Sequence, residues 1–565
     1  MERRLLLVFA LTFLVIILFQ PLLKKYLPQP AAPPAQMQTP VPSNAQPSAG
    51  AQSQIAAPTP GVSKQAVSEA ETAVENDLYR ITFTNRGGRV KSWILKQYND
   101  DHGKPLELVS TAAEKYGYPL SLWTYDETQR TKINSALYVA SESGNLSAPT
   151  QVTFEYADQD VTVRKIFSFD QTYVVHVETS VLQKGVLVSV FPLWPAGFGD
   201  QLSLASYAAS RIEHQYNDKT ERLDIKKISG GGTVPGPFNW AGVVDQYFAA
   251  VFLPDDPQGA AAVTLRNPLD VPKDPRNPNS QETIKADVLG VAVGNLKGPT
   301  LARLYVGPKS LGVLESVSVP TLIGAPQDLR ALVNFGFFGV IARPLFLWLK
   351  WTYEKVVHNW GWAIVVQTLI INLALLPLRI ASMKSALKMQ KAAPKIKAIQ
   401  EKYKKYSMRD PRKQEMNQEI SALYKSEGVN PVGGCLPMVI QMPFLFAYYS
   451  MLGAAIDLRQ APWLWIHDLS SRDPLFILPV ALVVSMIVTQ RMMPQPGMDP
   501  AQQKMMTLMM PLMMGFLFYN LAAGLNLYYS LGNLIAIAQQ AVMNRTSLGR
   551  EMREIALKRA RKKEK

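Results

Sequence analysis

The sequence WGWAIVVQTLIINLALLPL, residues 360–378, decides how the chain is organised. Its 19 residues carry no charge, and at about 1.5 Å of rise per residue a helix of that length covers about 28 Å, close to the hydrocarbon thickness of a bilayer. Polar side chains nevertheless share one face, because Asn372 follows Thr368 by four residues and Arg379 follows Asn372 by seven. The stretch therefore predicts a membrane-spanning helix with a polar stripe.

A strongly basic segment follows this span. Residues 379–427 carry 13 Lys and Arg against 5 Asp and Glu, and residues 545–565 carry 9 against 3, within a chain of net charge +15. Both segments flank apolar stretches, so the positive-inside bias of membrane proteins explains them, and contact with anionic lipid or ribosomal RNA is compatible with it. Turn and capping residues predict a cytoplasmic helical hairpin over residues 379–430. The single cysteine, Cys435, excludes an internal disulfide.

The chain before the span divides into segments of different composition. Residues 1–27 start with basic residues and an apolar run without a small-residue cleavage site, which indicates an uncleaved signal anchor. Residues 28–74, rich in Pro, Ala, Gln and Ser, predict a linker. Residues 325–358 are apolar but interrupted by Arg343 and Pro344, which favours amphipathic helices lying in the membrane interface.

Residues 75–324 alternate apolar and polar side chains between turn residues such as NRGG. This pattern predicts an antiparallel β-sandwich of about 250 residues on the outer side of the membrane. His176 and Glu178 share one face of a predicted strand, either as an acid–base pair or, more simply, as a cross-strand polar contact. Neither metal-ligand spacing nor a phosphate loop is recognisable, so we expect no catalytic residue, no metal and no cofactor.

Four further apolar segments complete a five-helix membrane core within residues 359–543, and a basic cytoplasmic tail follows at 544–565. With the N-terminal anchor, this makes six transmembrane helices in a multidomain membrane protein whose two termini both lie in the cytoplasm. Several segments are short for a bilayer of about 30 Å, which indicates tilted helices or local thinning. The four segments are residues 432–452, 475–490, 505–519 and 525–543.

Polar stripes recur on these later segments. Polar groups that face lipid would lose their hydrogen bonds, so the stripes must face each other as interhelical hydrogen bonds or face water in a groove. Three stripes beside a basic segment favour the groove. Methionines are dense between Met492 and Met514, which suits a surface that accepts varied apolar sequences, or simple lipid-facing filler. The stripe residues are Gln441 and Tyr448 in one segment and Asn526, Tyr529, Asn533 and Gln540 in another.

Three stretches closely resemble the YidC/Oxa/Alb family of membrane protein insertases: NPVGGCLPMVIQMPFLFAYYSM (430–451), LRQAPWLWIHDLSSRDP (458–474) and GLNLYYSLGNLIAIAQQ (524–540). The resemblance covers about residues 345–543. The anchor and the β-sandwich are similar to the arrangement of bacterial YidC with a large periplasmic domain, to which NRGGRVKSWIL (85–95) and DQYFAAVFLP (245–254) show a looser likeness.

The resemblance implies a non-enzymatic insertase and chaperone of the bacterial inner membrane. Such a protein receives transmembrane segments in a hydrophilic groove open to cytoplasm and lipid, alone or beside the Sec translocon, and hydrolyses no nucleotide. The implied partners are nascent membrane proteins, the Sec translocon and the ribosome, the last through the basic segment and tail, and the charge adds anionic lipids. Thr368, Gln441 and Tyr529 fall at positions that match the groove-lining residues of the family.

One position departs from the family pattern. The family carries a groove arginine five residues before the proline of the PL pair, and counting back from Pro377 gives Asn372. Arg379 lies about 10 Å nearer the cytoplasm along the helix, so we expect its side chain to extend toward the cytoplasmic mouth. Arg379 then either replaces the family arginine or only anchors the helix end.

Two other classes of protein remain as alternatives. A secondary transporter or channel would use Thr368, Asn372 and Gln441 as a site for a small solute, but the sequence has neither an internal repeat nor paired broken helices. A scaffold protein would use the β-sandwich for binding and the membrane part only as an anchor, although an anchor does not need three polar stripes.

Overall fold

The computed structural model describes residues 63–217, 219–273, 282–319, 327–406, 410–429, 436–492 and 505–564. The signal anchor predicted at residues 1–27 and most of the predicted linker lie outside these residues. The linker was predicted to extend to residue 74, but Lys64 already pairs with Ala157 and the first strand begins at Glu71. The β-domain therefore starts earlier than predicted, because Val74 and its neighbours are buried as strand residues.

The β-domain contains three large sheets, with strands numbered along the chain. The first sheet has the order β4-β3-β2-β1-β7. Its strands are β1 (Glu71–Glu75), β2 (Tyr79–Thr84), β3 (Arg89–Asn99), β4 (Pro105–Glu107) and β7 (Gly144–Ser147). The pairing of β1 with β7 is parallel, and the other described pairs of the domain are antiparallel.

The second sheet is the largest and has the order β14-β13-β16-β17-β20-β10-β9-β8-β6, with β11 paired to β10. Its strands are β6 (Val139–Ala140), β8 (Thr150–Ala157), β9 (Val161–Phe169), β10 (Val174–Gln183), β11 (Val186–Val188), β13 (Arg211–Tyr216), β14 (Lys219–Leu223), β16 (Trp240–Val244), β17 (Phe248–Pro254) and β20 (Thr300–Pro308).

The third sheet has the order β15-β18-β19-β12-β5, and a two-stranded ladder closes the domain. Its strands are β5 (Leu122–Trp123), β12 (Phe191–Trp194), β15 (Gly232–Pro235), β18 (Ala260–Pro272) and β19 (Thr283–Asn295), and the ladder pairs β21 (Ser318–Val319) with β22 (Gln327–Asp328). Short helices connect strands: α1 (Ala113–Tyr116), α2 (Glu127–Ser135), α3 (Leu204–Ala209) and α4 (Leu311–Glu315). The predicted β-sandwich is confirmed.

Alternation along β9 shows how the sequence builds this core. The strand VTVRKIFSF buries every second side chain, so Val163 and Phe167 enter the core and the intervening side chains stay partly exposed. Lys165 shares the buried face. Its ammonium donates hydrogen bonds to the carbonyl oxygens of Gly87 (2.7 Å), Gly88 (3.1 Å) and Leu120 (2.8 Å), so it holds the NRGG turn from inside the domain.

His176 and Glu178 lie on the exposed face of β10. His176 stands opposite Arg303 of β20 and Ser168 of β9, whereas Glu178 stands opposite Leu301 and Ile166. Both side chains therefore take cross-strand positions on an open sheet surface, which fits the simpler of the two interpretations.

The helical part begins with α5 (Gly339–Thr352), which passes into a π-helical turn at Tyr353–Val357. The helix runs through Pro344 instead of breaking there. The missing N–H of Pro344 leaves the carbonyl of Val340, an exposed residue, without its helical donor. His358 then adopts a left-handed conformation, and the side chain of Asn359 accepts a hydrogen bond from the Trp362 N–H as the N-cap of the next helix.

Eight more helices follow, and each predicted apolar segment of the core contains one. They are α6 (Trp360–Ala374), α7 (Leu376–Lys402), α8 (Arg412–Ser426), α9 (Leu436–Ala454), α10 (Ile477–Met492), α11 (Met510–Phe518, preceded by a π-helical turn at Met505–Met509), α12 (Ala523–Arg545) and α13 (Ser547–Glu564). Among the described residues, none of the single helices combines the length and hydropathy needed to cross a membrane. The segment Gly339–Val357 and α6 reach both together, as a pair bent by 112°.

The predicted span at residues 360–378 is divided at Leu375, between α6 and α7. Pro377 causes this division because it lacks the N–H that would donate to the carbonyl of Leu373. The basic helix α7 then pairs with α8 as the predicted hairpin, and the tail forms α13, which packs on α7 through Met383, Leu387 and Met552.

Replacing Lys165 by Met should destabilise the β-domain. The change removes the donor for three buried carbonyl oxygens, so we expect a loss of about 2–4 kcal/mol in the free energy of unfolding. Thermal unfolding of the full chain, followed by β-sheet circular dichroism, measures it. Lys285→Met, on the exposed part of β19, is the matched control and should unfold like the parent. Equal unfolding temperatures for both variants and the parent would show that Lys165 does not stabilise the β-domain.

Candidate functional site

The polar stripes predicted from the sequence meet where α6, α9 and α12 pack together. At one end of the bundle, these helices pack closely against the segment that precedes α10. There Gly361 of α6 lies against Trp463, and a Cβ at Gly361 would stand 2.2 Å from the indole ring. The N–H of Gly524 at the start of α12 donates to the carbonyl of Leu469 at 2.9 Å. We call this the closed end of the bundle.

Arg379 and Asn372 form a polar cluster with Gln539, which the stripe analysis did not include. The guanidinium of Arg379 donates to Oδ1 of Asn372 at 3.1 Å and to Oε1 of Gln539 at 2.9 Å. Nε2 of Gln539 donates to the backbone carbonyl of Asn372 at 3.2 Å, and Nδ2 of Asn372 donates to the carbonyl of Thr368 at 2.8 Å. The cluster therefore joins α6, α7 and α12.

The direction of the Arg379 side chain corrects an expectation. We expected it to extend toward the cytoplasmic mouth, but it folds back by two helical turns to reach Asn372. Two causes act together: helical side chains lean toward the N-terminus of their helix, and the amide oxygens of Asn372 and Gln539 accept its hydrogen bonds. The charge thus lies beside Asn372 although residue 372 itself is neutral.

The guanidinium of Arg379 is half-buried and its hydrogen-bond partners are neutral amides. In the described part of the chain, none of the ion pairs includes Arg379, whereas the nearby Lys391 pairs with Glu551 at 2.5 Å. A guanidinium has five N–H donors, and these two bonds use two of them. The site can therefore accept an anionic oxygen.

A second cluster lies nearer the closed end. The Tyr448 hydroxyl on α9 donates to Oε1 of Gln367, and Nε2 of Gln367 donates to the carbonyl of Leu345 on α5 at 2.9 Å. The Tyr448 ring stacks on Tyr528 of α12, with centroids 3.9 Å apart and planes 13° from parallel. Tyr529 packs edge-on against Tyr528. These contacts tie four helices together.

Thr368 and Asn526 are fully buried and are bonded to backbone. The Thr368 hydroxyl donates to the carbonyl of Ile364 in its own helix at 2.6 Å. Nδ2 of Asn526 donates to the carbonyls of Phe518 (3.1 Å) and Leu521 (3.2 Å), which fixes the start of α12 to the end of α11. The structure thus does not bring these two residues to an open surface.

Burial changes along the helices from the closed end to the other end. Residues 523–528 of α12 are all buried, whereas Asn533, Gln539 and Gln540 farther along the same helix are half-buried. On α9, Tyr448 is buried and Gln441 is half-buried. Gln441 and Asn533 therefore lie in the more open half, together with the Arg379 cluster.

Sequence reasoning missed Gln367, Gln539 and Tyr528. Gln367 was visible as a polar residue within an uncharged span, but it lies one position away from the Thr368–Asn372 stripe. Gln539 neighbours Gln540, whose amide instead donates to Asn544 of the same helix at 2.9 Å. Only the packing of the helices distinguishes these neighbours.

Two protein families match the helical part and the β-domain of this chain separately. A family described as "60Kd inner membrane protein" matches residues 351–550, and one described as "YidC periplasmic domain" matches residues 71–348. These two matches define the class as proteins that join a YidC-type periplasmic domain to a helical part of the 60Kd inner membrane protein type.

Curated relatives specify the family further. "Membrane protein insertase YidC" of Geobacter metallireducens is 32% identical, covering 91% of this chain and 94% of the relative. The protein of the same name from Dechloromonas aromatica is 33% identical, covering 95% and 96%. A solved structure of an active YidC insertase has 20% identity and a TM-score of 0.34, and the match covers 86% of this chain and 94% of that one. This chain belongs to the YidC family of membrane protein insertases.

One prediction is thereby confirmed, namely the resemblance to the insertase family. The roles of the groove residues stay predictions.

The burial gradient along α12 predicts a gradient of thiol reactivity. In a Cys435→Ser background, Asn533→Cys should react with a membrane-impermeant polar thiol reagent. Ser530→Cys should react roughly tenfold more slowly or less, because a buried thiol must wait for local opening. Mass spectrometry of the reconstituted protein over time measures both rates. Equal rates at the two positions would show that the bundle is not more open toward α7.

Proposed function

We propose that this chain inserts membrane proteins by receiving transmembrane segments in a groove between α6, α7, α9 and α12. The groove opens at the side of α7 and is closed at the other end, and the segment leaves it sideways into lipid. The single observation that carries this proposal is the half-buried guanidinium of Arg379, which has amide partners and no described carboxylate partner. In an apolar bundle, such a charge requires a ligand or water beside it.

The proposed chemistry is a lowering of the barrier to moving a polar segment across hydrocarbon. Each backbone or side-chain group that loses its hydrogen bonds there costs several kcal/mol. Gln441, Asn533 and the Arg379 cluster offer partners partway across. Short apolar helices shorten the path as well, since the 16 residues of α10 cover only about 24 Å along their axis.

Arg379 would hold acidic groups of the substrate. A segment whose outward part carries Asp or Glu can place a carboxylate on the free N–H donors, and a charge-assisted hydrogen bond of this kind is worth about 1.5–3 kcal/mol. Asn372 and Gln539 keep the guanidinium in place and contribute neutral hydrogen bonding, so Arg379 takes the part of the family's groove arginine from a different position in the sequence.

Tyr448, Gln367 and Tyr528 would close the groove toward the outside. Their hydrogen bonds and ring stack connect α5, α6, α9 and α12 nearer the closed end than the Arg379 cluster.

The proposed membrane arrangement is the one expected from the sequence: six spans in the bacterial inner membrane, with both termini in the cytoplasm and the β-domain outside.

The partners proposed for the cytoplasmic side are the ribosome and anionic lipids, contacted through the basic helices α7, α8 and α13. The salt bridge between Lys391 and Glu551 at 2.5 Å supports treating α7 and α13 as one basic surface. The Sec translocon is proposed as a membrane partner by the family resemblance alone. A solute site made of Thr368, Asn372 and Gln441 is less favourable, because the Thr368 hydroxyl is engaged by its own helix.

Substitution of Arg379 tests the groove. Arg379→Ala should slow the insertion of a substrate with an acidic outward segment by about tenfold or more, because a charged hydrogen bond is lost, and should affect a neutral substrate less. Arg379→Lys should largely restore the acidic substrate. Insertion into proteoliposomes, scored by protease protection of the two substrates, measures the rates.

Two neighbouring glutamines provide a matched pair for the same assay. Gln539→Leu removes a partner of the guanidinium and should slow the acidic substrate severalfold, whereas Gln540→Leu removes only a bond within α12 and should leave the rate unchanged. If Arg379→Ala slows neither substrate at normal protein level and fold, Arg379 is only a helix anchor and the proposal is wrong.

A further inference from the structure

The turn that carries the DQYF motif fastens the β-domain to the helical part of the chain. Nε2 of Gln246 donates to the carbonyl of Gly453, just before the end of α9, at 2.9 Å. The guanidinium of Arg459 lies over two rings of the same turn, 5.9 Å from the centroid of Tyr247 and 5.7 Å from that of Phe248. The turn is therefore the β-domain side of an internal interface with residues 453–460.

Asp245 sets the conformation of this turn. The residue is buried, and its Oδ1 accepts hydrogen bonds from the backbone N–H groups of Tyr247 (2.7 Å) and Phe248 (2.6 Å). Its own carbonyl accepts a hydrogen bond from the ammonium of Lys309 at 2.8 Å. Tyr247 and Phe248 keep the positions that Arg459 contacts only while Asp245 holds their backbone.

The second oxygen of Asp245 has an unusual neighbour. Oδ2 of Asp245 and Oδ1 of Asp200 are both buried, and neither has a hydrogen-bond donor among the described residues. The two carboxyl groups lie within hydrogen-bonding reach of each other. Two carboxylates can only accept hydrogen bonds and repel each other, whereas one proton between them satisfies both oxygens at once.

The surroundings indicate which carboxyl holds the proton. Burial raises the pKa of Asp200 well above its usual range, and the adjacent charge of Asp245 raises it further. Burial also raises the pKa of Asp245, but the bonds from Asp200 and from the backbone N–H groups oppose that change. Asp245 already accepts two backbone N–H bonds, which favour its ionised form, so Asp200 is the member that more readily holds the proton. The other titratable or charged groups that face the pair are Lys309, Arg459, Tyr207, Tyr247 and, through Lys309, the ion pair of Glu213 with Arg222.

We propose that Asp200 and Asp245 form a proton-sharing latch that keeps the β-domain docked on residues 453–460 and weakens this docking when the proton leaves. At a pH above the titration range of the pair, both carboxyl groups are ionised and repel each other. The turn then relaxes, and Gln246 and Tyr247 lose their partners. The latch does not depend on the groove, so it holds or fails independently of the insertion mechanism.

The sign of the pH effect follows from the raised pKa of Asp200. The contribution of the latch is complete below the ordinary aspartate pKa of about 3.9 and is lost as the pH rises through the folded-state value. Release of one proton limits the slope to about tenfold in the docking equilibrium per pH unit. The pH of the external compartment in which the β-domain is proposed to lie would then control the docking directly.

Hydrogen exchange of the full chain in nanodiscs tests the latch. Protection of residues 245–254 and 453–460, corrected for the intrinsic pH dependence of exchange, should fall in the parent as the pH rises from about 5 to about 9, by up to about tenfold per unit. Asp200→Asn replaces the titrating donor by an amide, so protection should stay constant. Asp245→Asn provides a second variant whose amide donates to Asp200, with the same constant profile expected.

Glu178→Gln is the control, because Glu178 lies on the exposed face of β10. Its protection should show the same pH dependence as the parent. The proposal is overturned if the parent shows constant protection over this range. It is equally overturned if the folded Asp→Asn variants lose protection with the same pH dependence as the parent, since another group then titrates.

Discussion

Hydrogen bonding of amide side chains inside an apolar bundle is the constraint on which the helical part depends. Asn372, Gln367 and Gln539 each donate their NH₂ group to a backbone carbonyl. This leaves their side-chain oxygens available, and these oxygens receive the Arg379 guanidinium and the Tyr448 hydroxyl. Each contact of this kind contributes only about 1 kcal/mol in a membrane. Their main effect is on position, because they hold a charge and a ring stack at fixed points along the bundle.

The two clusters lie in different halves of the bundle. The half nearer the Trp463 contact is tightly packed, and its aromatic stack connects α9 to α12. The other half contains the charge and leads into the basic hairpin. The proposed groove uses both halves, and the proposed latch adds a third element where the β-domain contacts residues 453–460. There Arg459 also donates to the carbonyl of Asn99 at 2.9 Å, so the docking surface extends beyond the DQYF turn.

Much of the architecture could be predicted from the sequence. Period-two alternation located the β-domain because each strand buries one face, and uncharged runs located the segments that form the helices of the bundle. The division at Leu375 and the continuous helix through Pro344 could not be predicted, since the effect of a proline depends on whether the affected carbonyl finds another partner. The early start of β1 was hidden by the composition of the segment that precedes it.

The candidate site was predictable as a set of faces but not as a set of contacts. Thr368 and Asn526 lie on the predicted stripes, yet both are bonded to backbone, and no periodicity distinguishes such a residue from one that lines a groove. Gln539 matters because Arg379 folds back, and that direction depends on three helices at once. The sequence showed that the neutral Asn372 departs from the family pattern. Only the three-dimensional structure shows that the charge of Arg379 lies beside Asn372.

We propose that the positive charge beside residue 372 serves insertion wherever in the sequence it originates. Insertion of the acidic substrate by the double variant Asn372→Arg with Arg379→Ala measures whether it does. Removing Arg379 vacates space next to Asn372, where Gly532 of α12 adds little bulk. We expect the double variant to recover most of the rate lost in Arg379→Ala alone. A folded double variant that stays as slow as Arg379→Ala would contradict this proposal.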